Sequence, residues 1–498
     1  MRGARLPRPA WRCAAPDVEL LLTAAPAEVS VFDGAPTRVW RFTGRVLRGP
    51  ASALQVLPDS YLGPTIRLVR GQRVRIRYRN GLNEPSIVHW HGLDVPEQAD
   101  GHPRLAVNGG AEYVYDFEVT NRAGTYWYHP HPHMRTGAQV YQGLAGLLLV
   151  SDEEEGALEL PSGDAELTLV LQDRRVDAAN QFVYAEASTM SMGGGRGMGR
   201  GMMGGGGRGI GGMAAMMQTM NGWLGDRVLV NGRPQPSLAV DRRSYRLRLL
   251  NGSNARIYAL ALSDGSPLTL IGGDGGLRAQ AREVRMVTLA PGQRADVLLD
   301  LSSRPPASTL RLVSLAYPAA VVGRVGMMGE TAPLPQGAPL ELMTLRVSSR
   351  TGPRTTLPPR LCAPPAHWAV QGDAPVRRVE LMFMQMNWLL GGRTFELEQA
   401  APDETVAPGS THVWEFVNRP NPMGMAMAHP IHLHGTQFGA TRGRARSQVR
   451  CTTACTTARR PIRCWSSRAR PSACRSPSHG IRGCACTTAT SSSTRTWG

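Results

Sequence analysis

Arg73-Val74-Arg75-Ile76-Arg77-Tyr78-Arg79 alternates charged and apolar residues at a period of two and closes on the turn dipeptide Asn80-Gly81. Successive side chains of a strand point to opposite faces, so this run reads as a strand with one solvated and one buried face. Four arginines in a row of alternate positions also suit a phosphate backbone. The regular interleaving with Val74, Ile76 and Tyr78 favours the half-buried strand. Similar short runs recur further along the chain, at residues 113–119, 144–150, 167–171, 245–250, 284–289, 295–299, 310–315 and 413–417. Gly, Pro and Asn separate them, and long helical patterns are absent. The chain is therefore expected to be all-β, built of sandwich-like domains, with boundaries at the acidic stretch 152–156 and the Pro-rich stretch 353–365.

Composition narrows the function. At 498 residues the chain has room for roughly three domains of ~150 residues each. No apolar run approaches the ~20 residues of a membrane span, so no transmembrane segment is expected. The formal net charge of +18 suggests nucleic acid, but its distribution argues against that partner. Residues 439–498 carry 12 Arg and no Asp or Glu, leaving 44 Arg against 38 acids, a net +6, over the other 438 residues. Six of eight cysteines also lie in that tail (Cys451, Cys455, Cys464, Cys474, Cys484 and Cys486). Only Cys13 and Cys362 remain for the body, which excludes a disulfide scaffold. All 56 basic residues are Arg, as a GC-rich coding sequence would give. Near the amino terminus an apolar stretch at 20–25 is preceded by Asp17 and Glu19, so no clear signal peptide is visible.

One segment resists a packed reading. Residues 193–212 include 13 Gly, and 190–220 include nine Met, too little side chain to bury, so a loop is expected. Its Arg-Gly pairs lack an aromatic on which bases could stack. Thioethers are soft ligands suited to Cu(I), which gives the Met residues a function to set against surface low-complexity drift.

The chemistry concentrates in histidine clusters: His89-Trp90-His91-Gly92, Trp127-Tyr128-His129-Pro130-His131-Pro132-His133 and His429-Pro430-Ile431-His432-Leu433-His434-Gly435. On an extended strand each H-x-H pair presents two imidazoles side by side, ~6–7 Å apart at Cβ, suited to adjacent metal ions. Pairs from opposite ends of the chain point to one multinuclear site assembled between the first and last domains. Imidazole suits copper, zinc and iron alike.

These motifs resemble three of the four copper-binding motifs of the multicopper oxidases. Gln139, Gly143 and Leu144 after the second cluster, and Gly435-Thr436-Gln437-Phe438 after the third, are similar to the bacterial cuprous oxidase and laccase-like group. Asn251–Arg256 and Gly272-Gly273-Asp274-Gly275-Gly276 resemble that group's middle domain. The resemblance implies three cupredoxin-like Greek-key β-sandwich domains, at 35–152, 160–350 with the Met/Gly-rich loop 190–220, and an incomplete third from 375 to 438. It implies type 2 copper on His89 and His432, type 3 copper on His91, His129, His131 and His434, and type 1 copper on His429. Asp100, nine residues after His91, matches the acid that feeds protons to the cluster. An intact member holds four coppers, oxidises Cu(I) or small phenolic donors, reduces dioxygen to water and works in the periplasm or outside the cell. The contrasting class is a non-enzymatic copper-binding or copper-tolerance protein. His102, His133, His367 and His412 fall outside the motifs, and Met423, Met425 and Met427 read equally as strand packing or as a soft approach to the type 1 site.

The fourth motif, H-C-H-x-x-x-H-x-x-x-G-M, has no match in 439–498, where His479 stands alone without an adjacent cysteine. Taking the third base of each tail codon with the first two of the next, residues 487–498 can encode H-C-H-I-L-E-H-E-D-M-G, and a following stop codon can complete G-M. The same shift makes 461–470 compatible with D-T-V-L-V-E-P-G-E, a segment similar enzymes carry just before that motif. The tail thus reads as a frameshift product, too poor in apolar residues to complete a sandwich. The chain as written is expected to be impaired as an oxidase.

Overall fold

The computed structural model describes residues 15–184, 222–318, 334–363, 374–384, 387–407, 410–418, 428–442 and 448–454. The Met/Gly-rich loop 190–220, Cys13, His367, Met423, Met425, Met427 and everything beyond 454, including His479, lie outside the described residues. Within them the chain is almost wholly β. The first unit runs through β1 (Val18–Val29), β2 (Thr37–Arg48), β3 (Leu54–Gln55), β4 (Thr65–Val69) and β5 (Arg73–Asn80). It continues with β6 (Val88–His91), β7 (Glu112–Glu118), β8 (Gly124–Pro130) and β9 (Gly146–Ser151). A four-stranded sheet, β2-β1-β5-β7, faces a five-stranded sheet, β3-β4-β9-β8-β6.

The alternation in β5 is realised as read: Val74, Ile76 and Tyr78 are buried in the core between the sheets. The opposite face is not a phosphate track. Arg75 pairs with Asp116 of β7 at 2.6 Å and Arg77 with Glu19 of β1 at 2.7 Å. One boundary needs correction, because the first domain starts before residue 35. Val18, Leu20, Leu22 and Ala24 are buried in alternation along β1, which pairs in parallel with β5 and antiparallel with β2. An intervening Leu21 turns that alternation into an apparent apolar run, which hides the strand.

The second unit contains β10 (Glu166–Arg174), β11 (Arg227–Val230), β12 (Arg233–Pro234), β13 (Ser237–Arg242), β14 (Ser244–Asn251) and β15 (Tyr258–Leu262). After these come β16 (Leu268–Gly273), β17 (Gly276–Val284), β18 (Val287–Leu289), β19 (Arg294–Asp300), β20 (Thr309–Ser314) and β21 (Leu340–Thr351). Its sheets run β12-β11-β10-β14-β19-β16-β17 and β13-β21-β20-β15-β18 around a Leu/Val core. The single strand expected at 284–289 is two pieces, the end of β17 and all of β18, separated at Arg285-Met286.

Two features lock the first unit to the second. Val39, Tyr61, Trp127, Tyr141 and Leu147 pack with Val170, Leu229, Leu250 and Trp223 in a shared apolar cluster. Beside it, Arg246 and Arg248 of β14 bridge Asp296 of β19 and Glu155 of the short linker helix α1 (Glu153–Gly156), and Arg248 reaches Glu166 at 2.6 Å. Thr125 of β8 donates to Asp296 Oδ1 at 2.5 Å, which carries the network into the strand that bears His129.

The third unit offers β22 (Val376–Met384), β23 (Asn387–Leu390), β24 (Thr411–Asn418), β25 (Phe438–Arg442) and β26 (Gln448–Ala454), one sheet in the order β23-β22-β24-β26-β25. Among the described residues it is faced by the segment 428–437, which buries Ile431 and Leu433 against Leu381, Val406, Trp414 and Phe416. The unit extends past residue 438, contrary to expectation: β26 pairs with both β24 and β25. Ladder hydrogen bonds come from the main chain, and a run of Val, Thr and Cys accepts the extended conformation without an apolar face.

Candidate metal centre

β6 and β8 are antiparallel neighbours in a register that sets His89 directly opposite His129. Period two then turns His91 to the same face as His89. His131 follows the end of β8 and stays extended, its main-chain N–H donating to Ile87 O at 2.7 Å. From the third unit, His432 and His434 enter the same space with their rings 4.6 Å apart. Six imidazoles from two domains thus share one pocket: His434 is 15% exposed and the others are buried.

They approach each other in couples. His89 Nε2 and His432 Nε2 are 3.1 Å apart, and His91 Nδ1 lies 3.4 Å from His129 Nε2. The rings of His131 and His434 are centred 5.1 Å apart. Each couple crosses either a domain boundary or a strand pair. One nitrogen each from His89, His91 and His129 lies within 4.8 Å of the others, and the same holds for His89, His432 and His434. His429 stands apart, buried with its ring 5.4 Å from Trp388.

Partners outside the cluster orient the rings. His89 Nδ1–H donates to the Asp100 carbonyl at 2.7 Å, and His129 Nδ1–H to the Pro130 carbonyl at 2.8 Å. A carbonyl can only accept, so the tautomer of each neutral ring carries its proton on Nδ1 and leaves the Nε2 lone pair free. Asp100 Oδ2 accepts from His434 Nδ1 at 2.9 Å, and Oδ1 lies 3.2 Å from His89 Nδ1. Burial alone would raise the Asp100 pKa, but His434 and His89 outweigh it and hold the carboxyl well below its ordinary range. Burial pushes the His91 pKa well below the usual histidine value, reinforced by His432 and Arg294. His432 is lowered in the same way, by burial first and then by His434 and His89. Burial brings His429 down to about 4. Burial thus favours the neutral, lone-pair form of His91, His432 and His429.

This donor set fits a metal cluster. His91 stacks on His432 at 3.7 Å with 10° between planes, where two imidazolium cations would repel each other. His91 Nε2 is buried without a hydrogen-bond partner. Neutral imidazoles aimed at each other, with a carboxylate and carbonyls behind them, are the ligands and outer partners of borderline-soft metals such as copper.

Family models described as multicopper oxidase match residues 41–155 and 211–308. The multicopper oxidase mco of Staphylococcus haemolyticus is 29% identical over 377 residues, covering 76% of this chain and 68% of that relative. The structure of McoA multicopper oxidase from the hyperthermophile Aquifex aeolicus superposes with a TM-score of 0.69 at 29% identity, covering 89% of this chain and 91% of that one. Over these residues the chain is similar to the multicopper oxidases. The cell division protein FtsP of Escherichia coli is also similar, 32% identical over 308 residues, 61% of this chain and 55% of that relative.

Copper is the cofactor of that family, and among the described residues the six-histidine pocket is where imidazoles lie close enough together to hold a metal ion. The remaining histidines take other parts. His102 caps the short turn Pro103–Leu105 by accepting the Arg104 N–H at 3.0 Å. His133 packs its ring 5.6 Å from Phe395, across the first and third units, and His412 contacts Ser410 and Arg377.

Sequence reasoning passed over two residues that frame the site. Gln437 Nε2 donates to the Gly92 carbonyl at 2.5 Å, joining the end of the third cluster to the end of the first. Arg294, 1% exposed, is buried beneath the same glycine. Gln437 lay within a quoted motif, and the ion-pair partner of Arg294, Asp274, within another. What gave no warning was the contact itself.

Proposed function

We propose that this chain descends from a copper oxidase that takes single electrons from Cu(I) or small phenolic donors and reduces dioxygen to water. The observation that carries the reading is the convergence of six imidazoles, five of them buried, from the first and third units into one pocket. In it, His89 and His432 are the type 2 ligands, His91, His129, His131 and His434 the type 3 ligands, and His429 a type 1 ligand. Copper held by these residues would supply one-electron storage, and the four coppers of the intact ancestor would match the four electrons dioxygen requires. The chain's own groups do the rest. The strand pair β6–β8 sets the spacing of the imidazoles, and Trp127, packed 4.2 Å from His129 ring to ring, helps exclude water. Asp100 fixes the Nδ1 protons of His89 and His434 and, at 14% exposed, is the carboxylate placed to pass protons inwards. The work site proposed for this family member is the periplasm or the cell exterior. Among the described residues no helix is long and apolar enough to cross a membrane.

The same reading holds that residues after 438 are translated out of frame, so that the cysteine of type 1 copper and two type 3 histidines are missing from the chain as written. A non-enzymatic copper-binding role is the second reading, favoured by that lost thiolate and by the similarity to a protein named for cell division. The test is to load copper into the chain as written and into the product of the frame-restored gene. A blue thiolate-to-copper absorption band with dioxygen consumption in the restored protein supports the oxidase. Copper binding with neither band nor dioxygen consumption supports the second reading.

A further inference from the structure

The second unit donates no imidazole to the pocket, yet it sends one side chain to its wall. Arg294 opens β19, and its guanidinium is held by fixed acceptors. Nε–H donates to Thr125 O at 3.0 Å, Nη1–H to Gly292 O at 2.9 Å and Nη2–H to Asp274 O at 3.0 Å. Asp274 Oδ1 pairs with it at 2.8 Å and also accepts its main-chain N–H at 2.8 Å. Thr125 is on β8, four residues before His129 and on the same face of the strand.

The other contact is with the first H-x-H. Gly92, directly after His91, has φ +95°, and a Cβ there would lie 2.7 Å from Arg294 Nη2 and 2.9 Å from the Tyr126 ring. The guanidinium is thus packed against the backbone that ends β6. That support matters because β6 is the edge strand of its sheet, held by ladder bonds on the β8 side alone. Beyond the ladder, its end is held by Asn121 and Gln437, which both donate to the Gly92 carbonyl, and by the Arg294 surface.

We propose that Arg294 is a positioning residue for the metal pocket: from the second domain it holds the His91 turn and the His129 strand at the separation that lets their ring nitrogens share one copper. The inference rests on the reading of the pocket as a copper site. The planar fork is what the position uses, because a Lys ammonium cannot reach Thr125 O and Asp274 O in the same geometry.

The test uses the full chain with copper as the probe. Copper affinity is measured by chelator competition in the unsubstituted protein, Arg294→Met, Arg294→Lys, His91→Ala and the Arg294→Met/His91→Ala double variant, with thermal unfolding of each metal-free protein alongside. Arg294→Met is expected to weaken copper binding by about 10–100-fold, the usual effect of losing a group that orients a ligand, and Arg294→Lys to recover little of it. With His91 already removed, Arg294→Met should cost no more than about twofold further, because residues acting through one another are non-additive. Asp274→Asn, which leaves the arginine in place without its ion pair, is the variant to read if Arg294→Met does not fold, and should weaken copper by about 3–10-fold. Unchanged copper affinity with a lowered Tm, equal losses in both backgrounds, or tighter binding in Arg294→Met (the result if only its charge mattered) each overturn the proposal. A His91→Ala variant that binds copper as the parent does overturns the copper-site reading itself, and the proposal with it.

Discussion

Asp100 Oδ2 accepts a hydrogen bond from His434 Nδ1 at 2.9 Å, across 334 residues of sequence, and so fastens the third unit to a loop of the first. Its main-chain carbonyl does the same for His89. A single loop residue therefore decides which nitrogen of two pocket imidazoles points inwards. Asp100→Ala should weaken copper binding by about 10–100-fold, and Asp100→Asn by less, because its amide oxygen still accepts from Nδ1. Chelator competition on the two variants checks this; equal affinities in both and in the parent would remove Asp100 from the site.

Copper content separates the chain as written from its restored frame. With one histidine missing from the ligand set of each type 3 copper and no type 1 cysteine, the chain as written should hold fewer than the four coppers of an intact family member and show no blue band. Restoring the frame after residue 438 should bring both back. Metal analysis finding four tightly held coppers in the chain as written would sink the frameshift account, as would an independently confirmed uninterrupted reading frame to Gly498.

The buried ionic network between the first and second units should behave unlike surface pairs. Asp296, 3% exposed, faces Arg246 at 2.7 Å and Arg248 at 3.3 Å, and Asp296→Ala leaves both guanidinium groups undercompensated in a dry interior. The expected loss is about 3–5 kcal/mol by denaturant unfolding. Glu341→Ala, at the exposed pair with Arg311, should change stability by about 1 kcal/mol or less. Similar small effects from both would show that the network is solvated.

Acid should expose the same network. Burial raises the pKa of Asp296, but Arg246 and Arg248 together outweigh it and the net shift is downwards; Glu166 behaves alike through Arg248 and Arg67. A carboxylate depressed in the folded state stabilises above its unfolded pKa, about 3.9 for Asp and 4.3 for Glu, and that stabilisation fades as pH falls through the folded value. The Tm of metal-free protein should therefore drop steeply below about pH 4. The buried imidazoles act at higher pH, so the decisive comparison is with Asp296→Asn below pH 5, whose Tm should fall less steeply. Parallel curves for the two proteins would exclude Asp296 as a cause.

What the sequence determined by itself is local. Alternation in 73–79 set the strand and its buried face, because a period of two is written in neighbouring residues. The H-x-H spacing likewise put His89 beside His91, since a strand allows i and i+2 little choice. Where local signals overlapped, the reading slipped: Leu21 masked β1, and a tail poor in apolar residues still formed β26 from main-chain bonds. Tertiary structure alone decided that His89 meets His432 and His434 from the far end of the chain, that Asp100 reaches two rings, and that Arg294 of a domain without histidines packs against the turn after His91. Those distances are fixed by how three units pack and by the charges buried between them, and no spacing along the chain encodes a separation of 343 residues closed to 3.1 Å.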